Sequence, residues 1–265
     1  MVCYNEYMSW ASKRQFKYFS GFVLVLLLII FIIIYPLIFK KATCFDNKQN
    51  NDETGVDCGG SCSLMCKSDI SDPVVLWSRA FPVTGTNYNL LAFVENRNKN
   101  AGVVSASYEF RIYDTNNNLL GRREGTTFIP PNQQFAIFEP RFDAGQSQIK
   151  TVTFEFSPSL VWVKKLPTTQ TLPIHVNNVV FDNNKDTPSL SATVTNDSIY
   201  DIPEFDVISI LYDADHNAIN VSKTHKSKLL SNSSLPVIFT WPEAIPTLPV
   251  TEDVMVLINP FSVSF

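Results

Sequence analysis

The run Phe22–Phe39 (FVLVLLLIIFIIIYPLIF) holds eighteen residues without a charge. As an α-helix it is about 27 Å long, close to the thickness of a bilayer's hydrocarbon core. Sixteen of its residues are Phe, Ile, Leu or Val. At roughly 0.3–0.6 kcal/mol each, their insertion gains about 5–10 kcal/mol. Apolarity on every side distinguishes the run from an amphipathic core helix. Pro36 falls in the last turn, where a missing backbone bond is tolerated. The apolar stretch is longer than that of a cleaved signal peptide, and Lys40 and Lys41 stand where small residues would mark a cleavage site. The segment therefore reads as an uncleaved signal anchor over 19–39, preceded by a tail of 1–18.

Flanking charge sets the direction. Residues 1–18 carry Lys13, Arg14 and Lys17 against Glu6, while residues 40–265 hold an excess of acids. By the positive-inside rule the N-terminus is cytoplasmic and the body extracytoplasmic, at the plasma membrane. Cys44, Cys58, Cys62 and Cys66 lie past the helix and only Cys3 before it, as expected if the body meets an oxidising compartment. A net charge of −4 argues against a nucleic-acid partner.

Residues 44–66 (CFDNKQNNDETGVDCGGSCSLMC) offer few core formers. A segment so poor in apolar side chains needs a staple, and two disulfides among the four cysteines supply it within a Cys-rich module of 40–72. Closing a loop of about 15 residues contributes roughly 3 kcal/mol. Three pairings are open, and spacing does not choose among them. A zinc site would want C-x2-C pairs, which are absent. Asp46, Asn50, Asp52 and Asp57, with Asn47 and Glu53 beside them, form an oxygen-rich stretch that could ligate Ca²⁺, a cation taking about six to eight oxygens. The alternative is a solvated Asn/Asp turn. No other cofactor is expected.

The string Cys44, Asp46, Asn50, Asp52, Glu53, Thr54, Gly55, Val56, Asp57, Cys58, Gly59, Gly60, Cys62 resembles a short cysteine motif of secreted or membrane-anchored surface proteins of bacterial type. Asn47 replaces the Gly usual after the first Asp. The motif implies a surface location and no chemistry.

Past Asp72 the pattern has a period of two between turn residues, the signature of half-buried strands. Strands are expected near Val74–Phe81, Tyr88–Glu95, Ser105–Tyr113, Leu119–Glu124, Phe135–Phe138 and Ile149–Phe156. Tyr108, Phe110 and Ile112 share one face of their strand, Glu109 and Arg111 the other. Asn is abundant, with 22 residues against nine Gly, and it can serve turns that need left-handed backbone.

The second half repeats the first at an offset near 100. Leu91–Asn96 matches Ser191–Asn196, Phe110–Asp114 matches Ser209–Asp213, and Pro131-Asn132 matches Ser231-Asn232. A unit of about 95 residues with six or seven short strands suits an Ig-like antiparallel sandwich. The fold class is therefore mainly β: the anchor helix, the disulfide module, sandwich 1 over 73–165, a linker at 166–172 and sandwich 2 over 173–265. The linker suggests two sandwiches that unfold separately.

Phe110, Ile112, Tyr113 and Asp114, with an upstream V-x-N, resemble the FxLYD and LEA14-like group of Ig-like domains. The second copy keeps Leu211, Tyr212 and Asp213 but has Ser209 in place of the Phe. The resemblance implies a sandwich on an anchored surface protein and no catalytic residues.

No hydrolase, metalloprotease, P-loop or dinucleotide motif occurs, and His175, His216 and His225 stand in no catalytic context. The expected function is a non-catalytic, single-pass surface protein whose sandwiches act as spacer and interaction modules. It would contact an unidentified protein partner through end loops such as Asn96–Gly102. A Ca²⁺- or ligand-binding ectodomain and an accessory subunit of a membrane complex are the alternatives.

Overall fold

The computed structural model describes residues 10–38, 43–165, 172–183 and 187–262. Cys3, Lys40, Lys41, most of the expected linker and the last three residues lie outside them. Helix α1 (Trp10–Ile38) extends the expected anchor toward the N-terminus. Its span Arg14–Tyr35 is long and apolar enough to cross a membrane, and none of it is buried against the rest of the chain.

The body is built of antiparallel sheets. The first group of strands is β1 (Val74–Thr84), β2 (Asn87–Asn96), β3 (Ala101–Asp114), β4 (Leu119–Ile129), β5 (Gln133–Asp143), β6 (Ile149–Phe156) and the short β7 (Trp162–Lys164). The second group is β8 (Ile174–Asp182), β9 (Ser189–Asn196), β10 (Phe205–Tyr212), β11 (Ala218–Lys226), β12 (Ser233–Thr240) and β13 (Thr251–Leu257). One sheet of the first group runs β1-β2-β5 and the other β4-β3-β6, with β7 paired to the start of β3. The second group repeats this order as β8-β9-β12 and β11-β10-β13. All six expected strands of the first half are present, several of them longer. The strand prolines Pro82, Pro140 and Pro236 sit in β1, β5 and β12, all edge strands, where a missing N–H costs no ladder bond.

Each sandwich closes on its own core. Leu90, Val94, Phe110, Ile112, Phe135 and Phe154 meet in the first. Leu190, Val194, Val207, Leu211, Val237 and Phe239 meet in the second. The inward parity of β3 and β10 follows the alternation. The two copies share a polar frame as well. Buried Asn96 donates from Nδ2 to the carbonyls of Ala101 (2.9 Å) and Pro130 (2.8 Å), while its Oδ1 accepts the Asn98 N–H (3.0 Å). Asn196 does the same with Tyr200 (2.8 Å), Leu230 (2.9 Å) and the Ser198 N–H (3.0 Å). Asp114 and Asp213 each take two turn N–H groups on one carboxylate oxygen. The turns then pass through positive φ at Asn117 and His216. Six of the nine described non-glycine residues at positive φ are Asn, so Asn does the work that scarce Gly would otherwise do.

The sandwiches are not hung separately on a linker, contrary to the expectation above. A third apolar cluster joins them: Phe81, Leu91, Phe93 and Ala136 from the outer face of β1-β2-β5 pack on Ile208, Ile210 and Val221 from the outer face of β11-β10-β13. Trp77 stacks on Phe93 within this seam (5.5 Å), and Arg79 donates to the Ala218 carbonyl (3.4 Å). Two apolar outer faces exposed to water would cost far more than closing them on each other.

Candidate functional site

Two places combine the residues singled out above with open surface: the disulfide module and a cleft along the seam. In the module the bonds are Cys44–Cys62 and Cys58–Cys66, an interleaved pairing. It depends on Gly59 and Gly60, both at positive φ. A Cβ on the first would lie 1.8 Å from Thr54 Oγ1, and on the second 2.0 Å from the Asp52 carbonyl oxygen. No other residue type lets the chain turn that tightly between Cys58 and Cys62.

The oxygen-rich stretch closes the same loop. Asp57 accepts the N–H groups of Asp46 and Asn47 on its two oxygens (2.9 Å each). Asp46 accepts from the Lys48 N–H (3.0 Å) and from Asn50 Nδ2 (2.9 Å). Asp52 accepts from the Ser61 hydroxyl (2.7 Å), and that bond holds its carboxyl below the usual range. Glu53, buried, accepts the Asn50 N–H (3.1 Å). Asn47 adopts a left-handed φ of 56°, so the turn survives the replacement of the usual Gly. Of the proposed calcium ligands, Asp46, Asp52 and Asp57 spend their oxygens on loop donors, while Asn50 donates to Asp46 and keeps a buried, unpartnered Oδ1. Among the described residues, the group of His, Cys, Asp or Glu ligand atoms within 4.8 Å of one another is Cys44, Glu53 and Cys62, whose two sulfurs are bonded to each other.

The module is welded to sandwich 1. The Met65 N–H donates to the Trp162 carbonyl (3.0 Å), and the Lys164 N–H to the Ser63 carbonyl (2.7 Å), so residues 63–65 extend the sheet beside β7. The end loop Asn96–Gly102, expected as a binding loop, lies under this junction. Asn98 donates to the Ser71 carbonyl (2.7 Å) and accepts its N–H (2.9 Å), while the Lys165 N–H reaches the Asn100 carbonyl (2.8 Å). Packing thus engages Asn98 and the Asn100 carbonyl, while Arg97 and Lys99 stay exposed.

The cleft opens where β5 of sandwich 1 meets β10 and β11 of sandwich 2, with a volume of about 410 Å³. Ala136, Phe138, Ile208 and Leu257 supply its apolar lining, and Glu204, Asp206, Lys223 and His225 its charge. Asp206 bridges Lys223 (3.1 Å) and His225 Nδ1 (2.9 Å), and Lys223 stands 5.7 Å from the centre of the Phe138 ring. Glu204 lies 4.0 Å from His225 Nε2. Among the described residues, no hydroxyl is hydrogen-bonded to that imidazole. Tyr108 lines the inner end, its hydroxyl donating to Glu139 (2.5 Å). Burial first, and the carboxylate second, push its pKa far up, so it stays a donor. Gly125 leaves it room; a Cβ there would meet the Tyr108 oxygen at 2.4 Å. Sequence reading missed this cleft. Its signal was the apolar run Val207–Leu211, interrupted only by Ser209.

No family model matches the chain, and no curated protein matches it. Among solved structures, the crystal structure of red sea bream transglutaminase is similar over 71% of this chain and 31% of its own, at 10% identity and a TM-score of 0.23. The chain thus spans about a third of that protein's length, and so loose a superposition assigns neither fold nor activity.

Proposed function

We propose that the chain is a single-pass plasma-membrane protein with its N-terminus in the cytoplasm and a non-catalytic, extracytoplasmic body of two Ig-like sandwiches. The body acts as a stiff spacer and interaction module. The observation that carries the reading is the sequence of elements: an apolar helix with no buried face, then a module closed by two disulfides. A helix exposed on all sides needs a non-aqueous surrounding, and paired cysteines need an oxidising one. The F-x-[LI]-Y-D string supports a structural role for its residues, since Phe110 and Ile112 fill the core and Asp114 closes a turn. The seam supports stiffness, and the cleft beside it offers a partner apolar contact under a charged rim.

Protease added to intact cells, with any outer envelope permeabilised, is expected to digest residues 44–265 and spare an N-terminal tag. A protected body and a digested tag would reverse the orientation, and release of the mature body from the membrane would convert the anchor into a cleaved signal.

A further inference from the structure

An apolar groove of about 720 Å³ runs where the disulfide module meets sandwich 1. Val56, Leu64 and Ile70 form the module's wall; Val75, Phe156 and Val161 face them. Its lips are open: Val56 is 55% exposed and Val161 61%. Phe45 is 78% exposed, and its neighbour Asp46 is tied through its N–H to Asp57, the residue after Val56, so the two apolar side chains belong to one closed loop. A contiguous apolar surface of this kind on a well-packed body marks a contact with something less polar than water.

The connection to α1 says what that is. Four residues, 39–42, separate Ile38 from Thr43. Fully extended, the chain from one to the other spans at most about 17 Å. The Cys44–Cys62 bond fixes the far end of this tether to the module, and the sheet bonds of residues 63–65 fix the module to sandwich 1. The groove can neither unroll nor drift away from the outer end of the helix. We propose that Phe45 and the lips of this groove seat in the headgroup and acyl boundary of the bilayer that α1 crosses, so that the body stands on the membrane rather than swinging from it. The proposal rests on the anchored reading above. Attraction to anionic lipid is not its basis, because Asp57, Asp72 and Glu155 line the groove against Lys67 alone. The contact is apolar and suits a zwitterionic surface.

The test uses the full chain in phosphatidylcholine nanodiscs, with and without brominated acyl chains, in a Trp10→Phe background whose own quenching, from Trp77, Trp162 and Trp241, is measured first and subtracted. Tryptophan is introduced by Phe45→Trp or, at a distant exposed position, by Leu248→Trp. Bromolipid quenching of the tryptophan at 45 is expected to exceed that at 248 at least about twofold, and adding Val161→Asp should reduce it. Equal quenching at the two positions, with the chain still in the disc, would overturn the groove's role and leave the anchor standing. So would discs holding two chains with the tryptophan at 45 shielded but unquenched, which would make the groove a contact between copies. A chain that leaves the discs altogether would overturn the anchored reading and this one with it.

Discussion

β3 and β10 hold the same place in the two sandwiches, and they differ in what lies outside them. β3 alternates: Tyr108, Phe110 and Ile112 face the core, while Glu109 and Arg111 face outward and pair with each other. β10 does not alternate: Val207 and Leu211 face its core, and Ile208 and Ile210 are buried too, against sandwich 1. The reverse holds for β2 and β9. Leu91 and Phe93 point outward into the seam, whereas Ser191 and Thr193 stand at the equivalent places in β9. Each copy thus carries one apolar outer face, on opposite sheets, and these two faces meet. A strand buried on both sides loses its period of two, for the same reason that central strands of parallel sheets do.

The largest effect should come from exchanging that difference. Ile210→Arg gives β10 the residue that β3 carries at Arg111 and forces a bulky charge into the packed seam, with Asp253 opposite it on β13 as its one cross-strand acid. It should cost about 3–5 kcal/mol. Arg111→Ile, the reverse exchange, removes partly exposed ion pairs to Glu109 and Glu155 and should cost less than about 1 kcal/mol. Unfolding of the detergent-solubilised chain measures both, and the wild type should unfold in a single transition. Two transitions, or equal costs for the two variants, would mean that the seam contributes little and the sandwiches are independent after all.

The comparison also separates what could be read from the sequence from what could not. The strands of the first half, the inward parity of β3 and β10, and the Asn-rich turns follow from alternation and local backbone preference, which act within a few residues. The seam depends on contacts between residues more than seventy positions apart. Its only local trace was the loss of alternation in Leu90–Val94 and Val207–Leu211, and the Pro/Thr linker pointed the other way. In the disulfide module the cysteines and glycines were legible but not the pairing, because four cysteines at this spacing leave three connectivities open. The acids of that module suggested an ion because composition cannot tell a carboxylate awaiting a cation from one already holding backbone N–H groups. Glu109 and Arg111 read as a free solvent face, yet Glu109 is mostly covered and Arg122 also approaches it (3.7 Å).

A smaller and symmetric effect is expected from the shared frame. Asn96→Ala leaves two buried carbonyls without their donor, and Asn196→Ala two partly buried ones. Each should lower stability by about 1–3 kcal/mol, the cost of stranded polar groups. The two costs should agree within about 1 kcal/mol, because the partners are equivalent. Denaturant midpoints decide it. A loss confined to one copy would show that the frame is shared in geometry but not in energy. Asn196-Asp197-Ser198 has the N-x-S form of a glycosylation acceptor, but the Asn196 side chain is buried and bonded, so a glycan there is incompatible with the folded sandwich.

The smallest effect concerns the one core position where the repeat departs most in size. Phe110 stacks edge-on with Phe154 at 4.9 Å, whereas Ser209 takes its place in sandwich 2 with its hydroxyl buried and unpartnered. On the other sheet the same core gains Phe239, opposite Leu190, where sandwich 1 has Glu139 opposite Leu90. The hydroxyl at 209 therefore fills no gap that the core needs and forfeits its hydration without return. Ser209→Ala removes that desolvated group and opens only an atom-sized space, so it should raise stability by about 1 kcal/mol. Ser198 provides the contrast within the same sandwich. Its buried hydroxyl donates to Asn196 Oδ1 at 2.6 Å, so Ser198→Ala should lower stability by about 1 kcal/mol. Opposite signs from the same chemical deletion, read as shifts in the unfolding midpoint, are the expected result. Equal losses at both positions would mean that the Ser209 hydroxyl has found a partner, and that its substitution for the Phe of sandwich 1 is a polar contact rather than a concession to the aromatic residues across the core.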